Sequence, residues 1–239
     1  MAKQKAGNTQ GVIYSTLRSS ILGLNLIPGT VISENDISSR FKVSRTPVRE
    51  AFIALSNEAL LTVMPQKGSM VTRIDIARVE QELFLRENLE PAALRSFIKN
   101  HRPSQLAELE KYMELQVEAA GKRKFERFLQ YDDLFHRVFF QDQQVAWHAL
   151  QNMCGHYHRV RLLTIWLQDL VRDIVDEHKR LFQAVKRRNA PRALALLENH
   201  LHKLNTEEAM LMRMFPDYFA DPNPQEVPLS VDFGGLSIG

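Results

Sequence analysis

A single cysteine, Cys154, is the only thiol in the 239-residue chain. An internal disulfide and a cysteine-based zinc finger are therefore both excluded. The residue falls in an apolar helical stretch, where a buried, inert thiol is expected and a redox sensor is the alternative. No apolar run approaches membrane-spanning length, and the stretch from Met1 to Gly7 lacks the apolar core of a signal peptide. A soluble, cytoplasmic protein is the expectation. Strand signals vanish beyond residue 75. Neither sign of charge dominates, the formal net charge being +3, but its placement is uneven. Nine basic and five acidic side chains lie at or before residue 76, and the rest of the chain carries a net −1. A basic N-terminal block is what phosphate neutralisation asks of a nucleic-acid binder.

What is present in that block is a recognisable order of elements. Ile13, Leu17, Ile21 and Leu24 recur at helical spacing. Leu26 to Thr30 reads as a turn. Ser33 then caps a short helix, with Asp36 at the capping-box position. Ser44 is positioned to cap the next helix, in whose first turn Pro47 costs no hydrogen bond. Arg45 and Arg49 are four apart and share a face, while Val48, Phe52 and Leu55 form the opposite, apolar one. Two guanidinium forks and the Thr46 hydroxyl suit phosphate oxygens and guanine edges in a major groove. Leu61–Met64 and Met70–Thr72 read as strands around a turn, a wing with Lys67 and Gly68 at its tip.

Pro28-Gly29, the run Val43-Ser44-Arg45-Thr46-Pro47-Val48-Arg49-Glu50-Ala51 and Gly68 give this block its resemblance to the winged helix-turn-helix of the GntR family of bacterial transcription regulators. Two departures stand out. Lys42 and Ala59 occupy positions where the family usually has glycine, which favours a left-handed backbone. Asn35 stands where some relatives carry arginine, which bears on base preference. The resemblance implies DNA-binding roles for Ser44, Arg45, Thr46, Arg49, Lys67 and Gly68.

From Ile76 onward helical periodicity takes over, with helices expected near 76–100, 103–120, 123–141, 143–167, 169–188 and 191–213. Asp132 and His136 are four apart, so they share a helix face; His178 and His200 lie on two later helices. Three imidazoles and a carboxylate from three helices suit Zn²⁺, Ni²⁺, Mn²⁺ or Fe²⁺ in a bundle, but spacing alone equally permits scattered histidines. Arg86…Glu90-Pro91-Ala92-Ala93, Asp132-x-x-Phe135-His136, Glu177-His178 and Asn199-His200-Leu201 give this half a resemblance to the effector-binding (FCD-type) domain of the FadR-like branch of the GntR family. That resemblance implies a divalent metal on Asp132, His136, His178 and His200, which helps to hold a small effector, often a carboxylate. Arg86, Tyr157 and Arg161 are candidates for lining the effector cavity; for Arg86 a helix-surface ion pair is the alternative. His156 and His158 read as ordinary helix residues, His202 points off the site, and Lys186 to Arg188 read as a solvated helix end.

The expected architecture is mainly α. Residues 1–75 form a winged helix-turn-helix with a small β-wing, 76–213 an all-α helical bundle that binds the effector, and 214–239 an irregular tail. The expected protein is not an enzyme. It is a homodimeric regulator, by family habit a repressor, that binds a double-stranded DNA operator and no membrane. A metal-dependent hydrolase using the Asp/His cluster is the alternative from another class, and an architectural DNA binder without effector a third. No general base stands beside the cluster in the sequence, which counts against the hydrolase.

Overall fold

The computed structural model of the protein describes residues 2–168, 170–202 and 208–221. Helix α1 (Ala2–Leu22) turns Ile13, Leu17 and Ile21 into the first core. Helix α2 (Glu34–Phe41) starts at Ser33, whose hydroxyl accepts from the Asp36 backbone N–H at 3.1 Å. Helix α3 (Arg45–Asn57) packs Val48, Ala51, Phe52 and Leu55 against α1. Ser44 holds the extended backbone of a capping residue, but its side chain makes no capping bond, contrary to the sequence expectation. The wing strands β2 (Leu61–Met64) and β3 (Gly68–Val71) pair antiparallel, and a two-residue strand β1 (Val31–Ile32), too short to show a period, completes the order β1-β3-β2.

Lys42 and Ala59 have φ of 55° each, the left-handed backbone that glycine serves in the resembling family. Both close helix ends: the Lys42 N–H bonds Ser39 O and the Ala59 N–H bonds Ser56 O. The geometry is kept and the strain is borne locally. Gly68 (φ 111°) has a different reason: a Cβ there would stand 2.6 Å from Ile32 O, so only glycine lets the wing close on β1.

The second half is helical: α4 (Ile76–Asn100), α5 (Pro103–Gly121), α6 (Phe125–Phe139), α7 (Gln144–Met153), α8 (Gly155–Gln168), α9 (Val171–Lys186), α10 (Ala190–His202) and α11 (Glu208–Met214). The helix expected over 143–167 is broken at Cys154. There Gly155 passes close beneath the winged half: a Cβ on it would meet Leu60 Cδ2 at 2.7 Å. Cys154 thus sits at a break rather than within a helix, and burial pushes its thiol up to about 12, which leaves it unreactive at neutral pH. Helix α6 packs on α5, α4 and α8, while α9 and α10 pack on each other and bring His178 and His200 to it, with one apolar cluster around Phe97, Phe135, Phe139 and Leu181 and another around Leu83, Phe128, Leu163 and Ile174. Arg188 is not a solvated end, because its guanidinium donates to Ile98 O at 2.7 Å and Lys99 O at 2.8 Å, closing the last turn of α4.

The stretch after residue 213, expected to be irregular, begins with structure. A short 3₁₀ turn (Pro216–Tyr218) delivers Phe219, 4% exposed, beside Ile74. Ile74 N–H donates to Tyr218 O and Ala220 N–H to Ile74 O, both at 2.8 Å. Residues Tyr218 to Ala220 therefore strap the segment between β3 and α4. The remainder of the expected tail, 222–239, lies outside the described residues. No helix among the described residues is long and apolar enough to cross a membrane.

Candidate functional site

Asp132 and His136 on α6, His178 on α9 and His200 on α10 each direct one ligand atom to a common point, all within 4.8 Å of one another. The inner contacts are His136 Nε2 to His200 Nε2 at 3.3 Å, His178 Nε2 to His200 Nε2 at 3.4 Å, and His178 Nε2 to Asp132 Oδ1 at 3.5 Å. The outward nitrogens explain why the rings sit this way. His136 Nδ1 is 2.6 Å from Glu90 Oε2, His178 Nδ1 2.9 Å from Gln116 Oε1, and His200 Nδ1 2.8 Å from Glu177 Oε2. Each acceptor favours the ring proton on Nδ1, so the Nε2 lone pairs of His136 and His178 both face that of His200, at 3.3 and 3.4 Å. Lone pairs so arranged repel unless something positive lies between them. Donors about 2.1 Å from a tetrahedral cation are separated by about 3.4 Å, which matches these spacings. The donor set therefore fits a divalent metal, with ring partners of the kind that orient ligating histidines.

Electrostatics agree with neutral imidazoles. Burial, then the neighbouring His200 and His136, hold His178 well below the usual histidine range, and burial lowers His200 as well. Glu90 is fully buried; burial alone would raise it, but Arg86 and His136 hold it at about 2. Asp132 gives its Oδ2 to Arg161, whose other terminal nitrogen takes Asp133 Oδ1 at 2.8 Å. Asp133 is thus a partner in the same clamp rather than a bystander.

The three effector candidates form one wall beside this cluster. Arg86 is buried and pairs with Glu90 through Nε, so it is not a surface ion pair. Its guanidinium lies 5.2 Å from the centre of the Tyr157 ring, and that of Arg161 5.7 Å. The cavity between this wall and the cluster, also touched by Asp132 and His200, is small, about 10 Å³. His202 bonds Glu198 O and Glu87 on the outside, away from the cluster. The sequence reasoning missed Gln116 and gave Glu177 no role of its own. Adjacency to His178 was the one local signal for Glu177, and Gln116 on α5 carried none.

On the winged half, Ser44, Arg45, Thr46 and Arg49 are exposed along the start of α3, and Lys67 is exposed at the wing tip. Arg45 is held by Glu34 at 3.0 Å. Gly68, grouped with them from the sequence, has the backbone role described above.

Two residues that the sequence left as ordinary helix join the halves. The neutral His156 ring accepts from Asp75 N–H through Nδ1 at 3.0 Å and donates from Nε2 to Ala59 O at 3.1 Å. Arg159, fully buried, donates to Thr72 O at 2.6 Å and to Gly155 O at 3.2 Å. Burial, then Arg159, holds His156 at about 4. Because that lies below the unfolded value, the neutral ring's stabilisation is complete above about pH 6.5 and is lost as the pH falls toward 4. On the order of 3 kcal/mol is at stake. His156→Gln, which can accept and donate without titrating, is expected to lose less stability between pH 7 and 4.5 in urea unfolding. Identical losses would sink the assignment.

Residues 9–71 match the family described as bacterial regulatory proteins, gntR family, and residues 82–203 match the FCD domain. The HTH-type transcriptional repressor RspR of Escherichia coli (strain K12) is 31% identical over 211 residues, 87% of this chain and 92% of that protein. The gluconate operon transcriptional repressor of Bacillus subtilis (strain 168) is 28% identical over 205 residues, 82% of each chain. The solved structure of E. coli McbR/YncC superposes with a TM-score of 0.74 at 19% identity, covering 87% of this chain and 98% of that one, a likeness of fold.

Proposed function

Because the chain belongs to the GntR family of bacterial transcription regulators and carries an FCD domain, we propose that it is a homodimeric repressor whose operator affinity is set by a small carboxylate held beside a divalent metal. The observation that carries this reading is the convergence on one buried point of Asp132 and three imidazoles, each with its Nδ1 against an oxygen acceptor. When bound there, the metal supplies a Lewis-acid position for carboxylate oxygens. Asp132, His136, His178 and His200 hold it, and Glu90, Gln116 and Glu177 hold the rings. The winged half (1–75) reads DNA and the helical half (76–213) reads the effector.

Arg161 is the pivot. Its guanidinium is divided between Asp132 and Asp133, and the cavity beside it has room for about one water. An incoming carboxylate competes with Asp132 for that guanidinium, so its binding favours a different position of α8. The same helix bears His156 and Arg159, which grip Ala59, Asp75 and Thr72 at the junction with the winged half. A ligand that prefers one position of α8 thereby biases how two winged halves are presented to a two-fold operator. The relatives named above are called repressors, which supports that sign of regulation.

Arg49 leaves the exposed face of α3 beside Arg45 and Thr46. Arg49→Ala is expected to weaken specific operator binding about 5- to 150-fold, the equivalent of about 1–3 kcal/mol for a base-reading arginine. Fluorescence-anisotropy titration at fixed salt measures it, and unchanged affinity for operator over random DNA would remove α3 from the interface. The effector half is tested separately. Metal-loaded protein on operator DNA is titrated with a series of small carboxylates before and after chelation. Release that requires metal supports the reading, whereas release unaffected by chelation contradicts it.

A further inference from the structure

A second cavity lies on the far side of the Arg86–Tyr157–Arg161 wall, at the junction of the two halves. Arg18 and Leu22 of α1 close it on one side, and Trp147 and Leu150 of α7 on the other. None of Asp132, His136, His178 or His200 lines it. Its volume is about 60 Å³, against about 10 Å³ for the cavity beside the cluster. That is room for about four waters, or for an organic molecule of a few heavy atoms.

We propose that this junction cavity is a binding site for a short-chain monocarboxylate, separate from the metal cluster and independent of it. Hydrogen-bond donors around it outnumber the free acceptors. Trp147 is 4% exposed, and its indole N–H has no hydrogen-bond partner among the described residues. A buried donor left without an acceptor is uncommon in a folded protein and calls for an account. Three arginines, Arg18, Arg86 and Arg161, line the same space, each already paired with a carboxylate: Glu58, Glu90, and Asp132 together with Asp133. Arg86 commits Nε to Glu90, and no hydrogen bond from its terminal nitrogens appears among the described residues. The only carboxylate in the wall, Asp133, is already taken on both oxygens, by Arg161 at 2.8 Å and by His158 at 3.4 Å. The missing partner is therefore a hydrogen-bond acceptor, and a carboxylate offers one oxygen to the indole N–H and another to the terminal nitrogens of Arg86. The apolar faces of Leu22, Leu150 and Tyr157 select one with a short hydrocarbon body rather than an inorganic oxyanion. Position gives the site a consequence. Arg18 of α1 already donates to Gln151 O of α7 and pairs with Glu58 at 2.7 Å, so a ligand between α1 and α7 adds to the contacts that hold the winged half against the helical half.

Propionate is the probe, propionamide its neutral counterpart, and the protein is the full chain after chelation of metal. Titration is followed by the two indole N–H resonances, Trp147 and Trp166, in ¹⁵N-labelled protein. The expected result is a saturable shift of one indole resonance with propionate and none with propionamide. Trp147→Phe is expected to remove that resonance and weaken propionate binding about 5- to 10-fold, with metal uptake unchanged. Arg18→Gln, a second variant at the partly exposed rim, is expected to weaken it as well. Binding that is lost on chelation but indifferent to Trp147→Phe and Arg18→Gln would place the acid on the cluster and overturn the proposal. So would the absence of any propionate-dependent shift. A working junction site with no metal uptake would instead overturn the metal reading alone.

Discussion

Glu90→Ala is expected to destabilise the helical half by about 3–5 kcal/mol, the cost of stranding a buried charge. Glu90 is fully buried on α4 and is the one carboxylate that both Arg86 and the Nδ1–H of His136 rest on. Arg86 is itself buried, with the Tyr157 ring 5.2 Å away as its other close neighbour, and it stays charged because Glu90 offsets the burial. Removing the carboxylate leaves that guanidinium buried without its ion-pair partner. For a unit of this size the melting temperature should fall by on the order of 10 °C. The double variant Glu90→Ala/Arg86→Met is expected to recover much of the loss, because removing both charges also removes both desolvation costs. Thermal and urea unfolding of the three proteins decide it. A single variant within about 1 kcal/mol of the parent would mean that Arg86 finds another partner.

The same pair shows what the sequence could and could not reveal. Arg86 and Glu90 are four apart on a helix, so their pairing is a local fact, readable from spacing. That the pair is buried, and that Glu90 also orients a histidine 46 positions later in the chain, depends on how α4 and α6 pack. Likewise Asp132 and His136 advertise themselves at i, i+4, whereas Gln116 holds His178 from a helix with no signal of its own. The left-handed turns at Lys42 and Ala59 were legible because the residue types conflict with the backbone that the resembling family needs. The close approach at Gly155 was not, because the Leu60 side chain that meets it lies in the other half of the chain. His156 and Arg159 look like any residues of an amphipathic helix, and only the junction gives them work. Local chemistry fixed the elements and half of the cluster; long-range packing supplied its outer shell and the coupling between halves.

That outer shell yields a graded test of the cluster. His178→Ala is expected to lower the affinity for divalent metal by more than 100-fold, because it removes a whole donor, whereas Gln116→Ala, which frees a ring without removing it, is expected to cost about 10- to 100-fold. His178 is fully buried, as His136 is. Its ring stacks on Phe135 with centroids 4.3 Å apart, and burial keeps it neutral and ready to donate from Nε2. Alanine there also opens a cavity, so some loss of stability accompanies the loss of metal. The two effects separate by measurement: chelator competition with Zn²⁺ or Ni²⁺ reports affinity, and unfolding of the metal-free proteins reports packing. His202→Ala, on the outer face beside Glu87, is the control and should change neither. If His178→Ala retained one equivalent of metal at the parent affinity, the three facing lone pairs would need another explanation. The shared proton of an imidazole pair would then be the first to examine, since one Nε2–H between His136 and His200 at 3.3 Å relieves part of the same repulsion.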